Sequence, residues 1–195
     1  LGEDITKEVC RRRFGKGAAN VVGVDFNFSP MCALVYRILR APEGVQDIMW
    51  AVDEVIIDER ADASRLAREL KRRGYANSVA IADTSDNRAK AYYRQIKAEG
   101  IPVFRPARDR RNPAIKDRVA AVSAKLLNVD NETTLFFDPK KCPRTIQAFS
   151  RQTNDEHGKP VKGQYDHYTD AGGYPIIKLY PAAAGIDRIR PIYAR

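Results

Sequence analysis

The segment Val21-Val22-Gly23-Val24-Asp25 constrains this chain more than any other. Its β-branched residues suit a buried strand, yet the run closes on a carboxylate, which is costly to bury unless paired, protonated or metal-bound. The arrangement recurs in Ser78-Val79-Ala80-Ile81-Ala82-Asp83. Both segments are predicted to be strands that carry an acid to their end. Asp83 also sits where helix caps are common, but Ser85 or Asp86 can cap the helix that follows and leave Asp83 for other work.

A third acidic group completes the pattern. In Tyr165-Asp166-His167-Tyr168-Thr169-Asp170-Ala171, residues three and four apart share one helix face, so Asp166, His167 and Asp170 can converge. The plainer alternative is a capped helix start with Asp170 in solvent. Two strand-end acids and one helical acid form an oxygen-rich ligand set suited to Mg²⁺ or Mn²⁺. The chemistry expected of such a set is a clamp of two cations about 4 Å apart, one activating water and the other stabilising a departing 3′ oxygen. No protein nucleophile is needed, and the chain has neither a Gly-x-Ser-x-Gly elbow nor a Gly-x-x-x-x-Gly-Lys-[Ser/Thr] phosphate loop.

Charge indicates the substrate. Lys and Arg number 34 against 25 Asp and Glu, a net charge of +9 that favours a polyanion. One basic cluster holds Arg105, Arg108, Arg110, Arg111, Lys116 and Arg118; a second holds Lys140, Lys141 and Arg144; a third holds Lys159 and Lys162 on a Gly-rich turn. Each is a candidate DNA contact, and each also fits an ordinary solvated face. Three cysteines without paired spacing and only two histidines exclude a zinc framework, and Cys32 is expected in the core. No apolar run approaches the roughly 18 residues of a membrane span, so no membrane partner is expected. From the residues alone, the chain reads as a metal-dependent nuclease acting on DNA.

Periodicity orders the remainder. At 195 residues, 44% of them hydrophobic, the chain suits one domain with an arm. Residues 1–20 mix charge and glycine without a sustained period and read as a linker, leaving 21–195 as the domain. A first residue of Leu suggests a piece of a longer protein. Strands over 21–27, 31–40 and 48–58 with short links predict an antiparallel meander. Helices are predicted over 61–75, 86–99, 112–128 and 141–152, with strands at 78–83, 101–107 and 133–138. In the helix over 112–128, Ile115, Val119, Val122 and Leu126 mark the expected apolar face. Gly172, Gly173 and Pro175 predict a final helix that is short or bent.

In order and spacing, VVGVDFNFSPM, VAIADTSDN and YDHYTDA resemble the C-terminal nuclease domain of the large terminase subunit of tailed bacteriophages, from about Val21 to Tyr174. The resemblance implies an α/β, ribonuclease H-like fold: a mixed central sheet, antiparallel meander plus parallel strands, flanked by helices. It implies metal-binding roles for Asp25, Asp83 and Asp170, with Asp166 and His167 beside them. It also implies Mg²⁺ or Mn²⁺ as cofactor and double-stranded viral DNA as substrate. Further implications are an ATPase motor domain in the same polypeptide, a small terminase subunit and portal as partners, and a location in the cytoplasm of an infected bacterium. The chain departs from that family in reading Ala-Gly-Gly-Tyr-Pro after Asp170, where members continue into an apolar-Arg-Tyr helix. A resolvase or transposase-type nuclease, and a catalytically inert DNA-binding or motor-regulating module, are the rival expectations.

Overall fold

A computed structural model describes residues 2–41, 46–83, 87–104, 113–156, 160–163 and 165–181. In chain order the elements are α1 (Thr6–Phe14), β1 (Asn20–Asp25), β2 (Met31–Leu39), β3 (Ile48–Ile57), α2 (Ala63–Arg72) and β4 (Ser78–Ala82). They continue with α3 (Asn87–Ala98), α4 (Ile115–Leu126), β5 (Leu135–Phe137), α5 (Pro143–Arg151) and α6 (Asp166–Leu179). The strands form one sheet in the order β4-β1-β2-β3-β5. As expected, β1, β2 and β3 make an antiparallel meander, while β4 joins β1 and β5 joins β3 in parallel.

Strand alternation sends successive side chains to opposite faces, and both faces are covered. Val22, Val24 and Ala80 pack with Leu66 and Leu70 of α2 and with Tyr93 and Ile96 of α3. Each of the two leucines is fully buried, worth roughly 2 kcal/mol. Asp62 caps α2 by accepting from the Arg65 N–H at 2.8 Å. On the other face Val21, Val79 and Ile81 meet Ile176, Ile177 and Leu179 of α6. Cys32 is buried with Ala148, Tyr168 and Ala171, the core role expected of it. Among the described residues no helix is long and apolar enough to cross a membrane.

Four local expectations change. Within residues 1–20, read as lacking a regular element, Thr6–Phe14 is a helix. Ile5 and Val9 lie one turn apart, and with Cys10 they give a short apolar stripe that joins the core while Arg11, Arg12 and Arg13 stay in solvent. The strand predicted over 101–107 is reduced, among its described residues, to one parallel bridge between Ala80 and Val103. Pro102 has no N–H to extend a ladder, and only its carbonyl is used, by Ala80 N at 2.9 Å. In α4 the buried positions are Arg118, Ala121 and Lys125, not the predicted apolar stripe: Ile115 is exposed and Val119, Val122 and Leu126 are half-buried. Finally, α6 is not short but runs 14 residues through Pro175.

Candidate active site

Parallel pairing brings the first two acids together. Val24 is opposite Ala82 in the β1–β4 register, so Asp25 and Asp83 follow at the same level on adjacent chains, on strands that lie about 4.8 Å apart. Val22 and Val24 face α2 and α3, so Asp25 points with Val21 and Gly23 to the α6 side. Both aspartates are half-buried.

Gly23 sets how close α6 can come. A Cβ there would collide with the carbonyl oxygen of Ala171 and stand 2.6 Å from Cδ of Pro175. Pro175 cannot donate to the carbonyl four residues back, and that Ala171 carbonyl lies against Gly23. The two following glycines also make room. Gly172 lies under the Phe149 ring and its carbonyl accepts from Tyr36 Oη at 2.9 Å, while a Cβ on Gly173 would stand 2.8 Å from Arg118 Cγ and Cδ. The Ala-Gly-Gly-Tyr-Pro departure, with Gly23, is thus where α6 lies directly on β1 and its neighbours.

This seating places the acids of α6 over the strand ends. His167 Nδ1 is 2.9 Å from Asp25 Oδ2, and its Nε2 is 2.9 Å from Asn27 Nδ2. With Nδ1–H donating to Asp25, Nε2 of the neutral ring accepts from the Asn27 amide. The hydrogen bond to Asp25 holds the imidazole pKa above its usual value of 6.5, with burial opposing. Asp166 is buried; its Oδ1 accepts from Gly163 N at 3.1 Å and lies 3.8 Å from His167 Nε2. Asp170 pairs with Arg118, Nη2 to Oδ1 at 2.5 Å. Burial pushes the Asp170 carboxyl up to about 6, helped by Asp25 and Asp166 and opposed by Arg118 and Lys162. The phenol of Tyr174 is likewise held up, first by burial and then by Asp170, Asp25 and Asp83.

Other sequence candidates are distributed less tightly. Arg118, read as part of a solvated basic cluster, is buried instead, its guanidinium over the Tyr174 ring at 4.7 Å. Its signal in the sequence was only the helical spacing to Ala121 and Lys125. Lys116, Lys140, Lys141 and Lys162 are exposed. Arg105, Arg108, Arg110, Arg111 and Lys159 lie outside the described residues. Asn27, which fixes His167, and Gly23, which seats α6, were missed as site residues although both flank Asp25.

The donor set is all carboxylate at its centre, which suits a hard divalent cation. Among the described residues no three His, Cys, Asp or Glu side chains are gathered tightly enough to hold an ion as they stand. One Asp25 oxygen is engaged by His167 and one Asp170 oxygen by Arg118. The chemistry of the donors fits such a cation, and each of the two carboxylates has a second oxygen.

No protein-family model and no curated protein matches the chain. Solved structures do. The large terminase nuclease domain of bacteriophage SPP1 with bound Mn superposes at a TM-score of 0.51, with 18% identity, over 80% of this chain and 84% of that one. The P22 large terminase nuclease domain superposes at 0.58, with 15% identity, over 83% and 82%. A fowlpox virus resolvase in complex with Holliday junction DNA gives 0.46 at 8% identity. The chain has the ribonuclease H-like fold of the phage large-terminase nuclease domains.

Proposed function

We propose that this chain is a metal-dependent endonuclease that cuts double-stranded viral DNA during genome packaging, with Asp25, Asp83 and Asp170 as ligands of Mg²⁺ or Mn²⁺. The observation that supports the reading is the β1–β4 register, which puts Asp25 and Asp83 at the same level at the ends of neighbouring parallel strands in the sheet that α6 covers. The fold it occurs on is shared with a terminase nuclease domain crystallised with Mn. When bound, two ions would supply an activated water and charge for the departing oxygen.

The chain's own residues then have separable tasks. His167, held by Asn27, fixes one oxygen of Asp25 and leaves the other for a ligand. Asp166 closes the loop at Gly163 and stands beside His167 as a reserve ligand, as does the imidazole itself. Arg118 neutralises Asp170. Lys116, Lys140, Lys141 and Lys162, with Arg105, Arg108, Arg110, Arg111 and Lys159, supply counter-charge for the duplex. The same reading makes 1–20 the connection from an ATPase motor domain, adds a small terminase subunit and portal as partners, and places the protein in the infected bacterial cytoplasm.

Metal-induced stabilisation tests it. At a hundred times Kd, a bound ion adds about 2.7 kcal/mol to folding stability. Melting temperature is expected to rise with Mn²⁺ in the wild type, and to rise far less in Asp25→Asn and Asp83→Asn. No rise in a folded wild type would favour the inert DNA-binding module.

A further inference from the structure

Between the turn after β1, α5 and the start of α6 lies a cavity of about 300 Å³ that no step above uses, walled by Ser29, Arg144, Gln147, Gly163, Tyr165 and Tyr168. That volume is at the lower end for small-ligand sites. Its two rims belong also to the acidic site. Ser29 lies on the turn after β1, where its carbonyl accepts from Asn27 Nδ2, the amide that also contacts His167. Gly163 donates to Asp166. Both rims are therefore linked to Asp25 through two side chains, Asn27 and His167 on one side and Asp166 and His167 on the other.

The lining has a consistent chemistry. Arg144, Gln147 and Arg151 fall at i, i+3 and i+7 of α5 and so share one face of that helix. Asp58 holds the Arg144 guanidinium bidentately, at 2.6 and 2.9 Å, and the group stands 5.3 Å from the Tyr168 ring centre. It is thereby fixed in place with part of its surface still exposed. Arg151 Nη1 donates to Tyr165 Oη at 3.4 Å, which sets the half-buried Tyr165 as the far wall. Exposed Lys140 and Lys141 precede α5 and exposed Lys162 precedes Gly163. A fixed guanidinium, an amide and an aromatic wall on a basic approach match a phosphate with its attached sugar.

We propose that this cleft is a nucleotide subsite: it holds one backbone unit of the bound DNA duplex near Asp25, with phosphate toward Arg144 and Gln147 and sugar against Tyr165. The subsite rests on the nuclease reading for its substrate, and its test is chosen to fail separately. Gln147 is exposed, so Gln147→Glu puts a negative charge into the cleft without disturbing the core. Gln95→Glu, equally exposed on α3 across the sheet, makes the same change of net charge elsewhere.

Affinity for a labelled DNA duplex is measured in EDTA, so that no cutting is required. Gln147→Glu is expected to raise Kd about tenfold, Gln95→Glu to leave it within about twofold, and Gln147→Lys to tighten it. Tyr165→Ala is expected to weaken binding of the duplex comparably, through lost contact with the sugar. Equal Kd values for the two glutamate variants would overturn the subsite even if the wild type cuts DNA with metal. The expected pattern in a wild type that never cuts would keep the subsite and remove the nuclease. No binding by the wild type would overturn the subsite.

Discussion

Arg118 and Asp170 form a largely buried ion pair between α4 and α6, with side-chain exposures of 10% and 24%. Two buried charges this close stabilise each other mainly by preventing an unpaired one. Arg118→Ala is therefore expected to lose about 3 kcal/mol of unfolding free energy in metal-free buffer. Arg118→Lys, which keeps the charge and the stem packed on Gly173, should recover part of that. Urea titration checks both; a loss below about 0.5 kcal/mol for the alanine variant would show the pair to be an exposed one in effect.

Gly23 makes a steric prediction. No positive φ requires glycine there, only the approach of α6. Gly23→Ala should cost about 3 kcal/mol through overpacking, because backbone at Ala171 must move. A melting temperature close to that of the wild type would mean that α6 is free to shift.

His167 gives the protein a pH dependence in EDTA. Its pKa is raised on folding, chiefly by Asp25, so the stability it adds is fully present below about 6.5 and is lost as pH rises through the higher folded value. The stability gap between wild type and His167→Gln should be widest near pH 6 and narrow above that. A gap that widens with pH would contradict the Asp25–His167 bond.

Lys125 has the opposite sign. It is buried, donates to the Asp47 carbonyl at 2.6 Å and rests 3.8 Å from the Tyr180 ring centre, and burial lowers its pKa to about 8 against the pull of Asp47. Between about 8 and the usual 10.5 the unfolded chain binds more protons than the folded one, so the cost of burying this amine fades as pH rises. Stability of the wild type relative to Lys125→Met should accordingly increase from about pH 7.5 to about pH 9.5. Denaturant titrations at the two values decide it, and a constant difference would count against the lowered pKa.

The elements that were legible are those whose own residues decide them. β1, β2, β3 and β4 have apolar runs bounded by turns, and α2 has Asp62, Leu66 and Leu70 in phase. From these alone Asp25 and Asp83 could be placed at strand ends, and a resemblance supplied their common purpose. What stayed hidden depends on partners distant in sequence. The buried face of α4 is basic because Asp170 and the Asp47 carbonyl receive Arg118 and Lys125, and apolar periodicity has no means of registering that. α6 continues through Pro175 because Gly23 on β1 accommodates it. The Asp25–His167–Asn27 chain joins residues 140 or more apart, beyond any local spacing.

Plasmid digestion tests the central claim most directly: this chain with Mn²⁺, Mg²⁺ or EDTA, beside folded Asp25→Ala and Asp83→Ala. Cutting that requires metal and is lost in both variants is the expected result. Intact plasmid in every lane with a folded wild type, or cutting that survives either substitution, would contradict the carboxylate site.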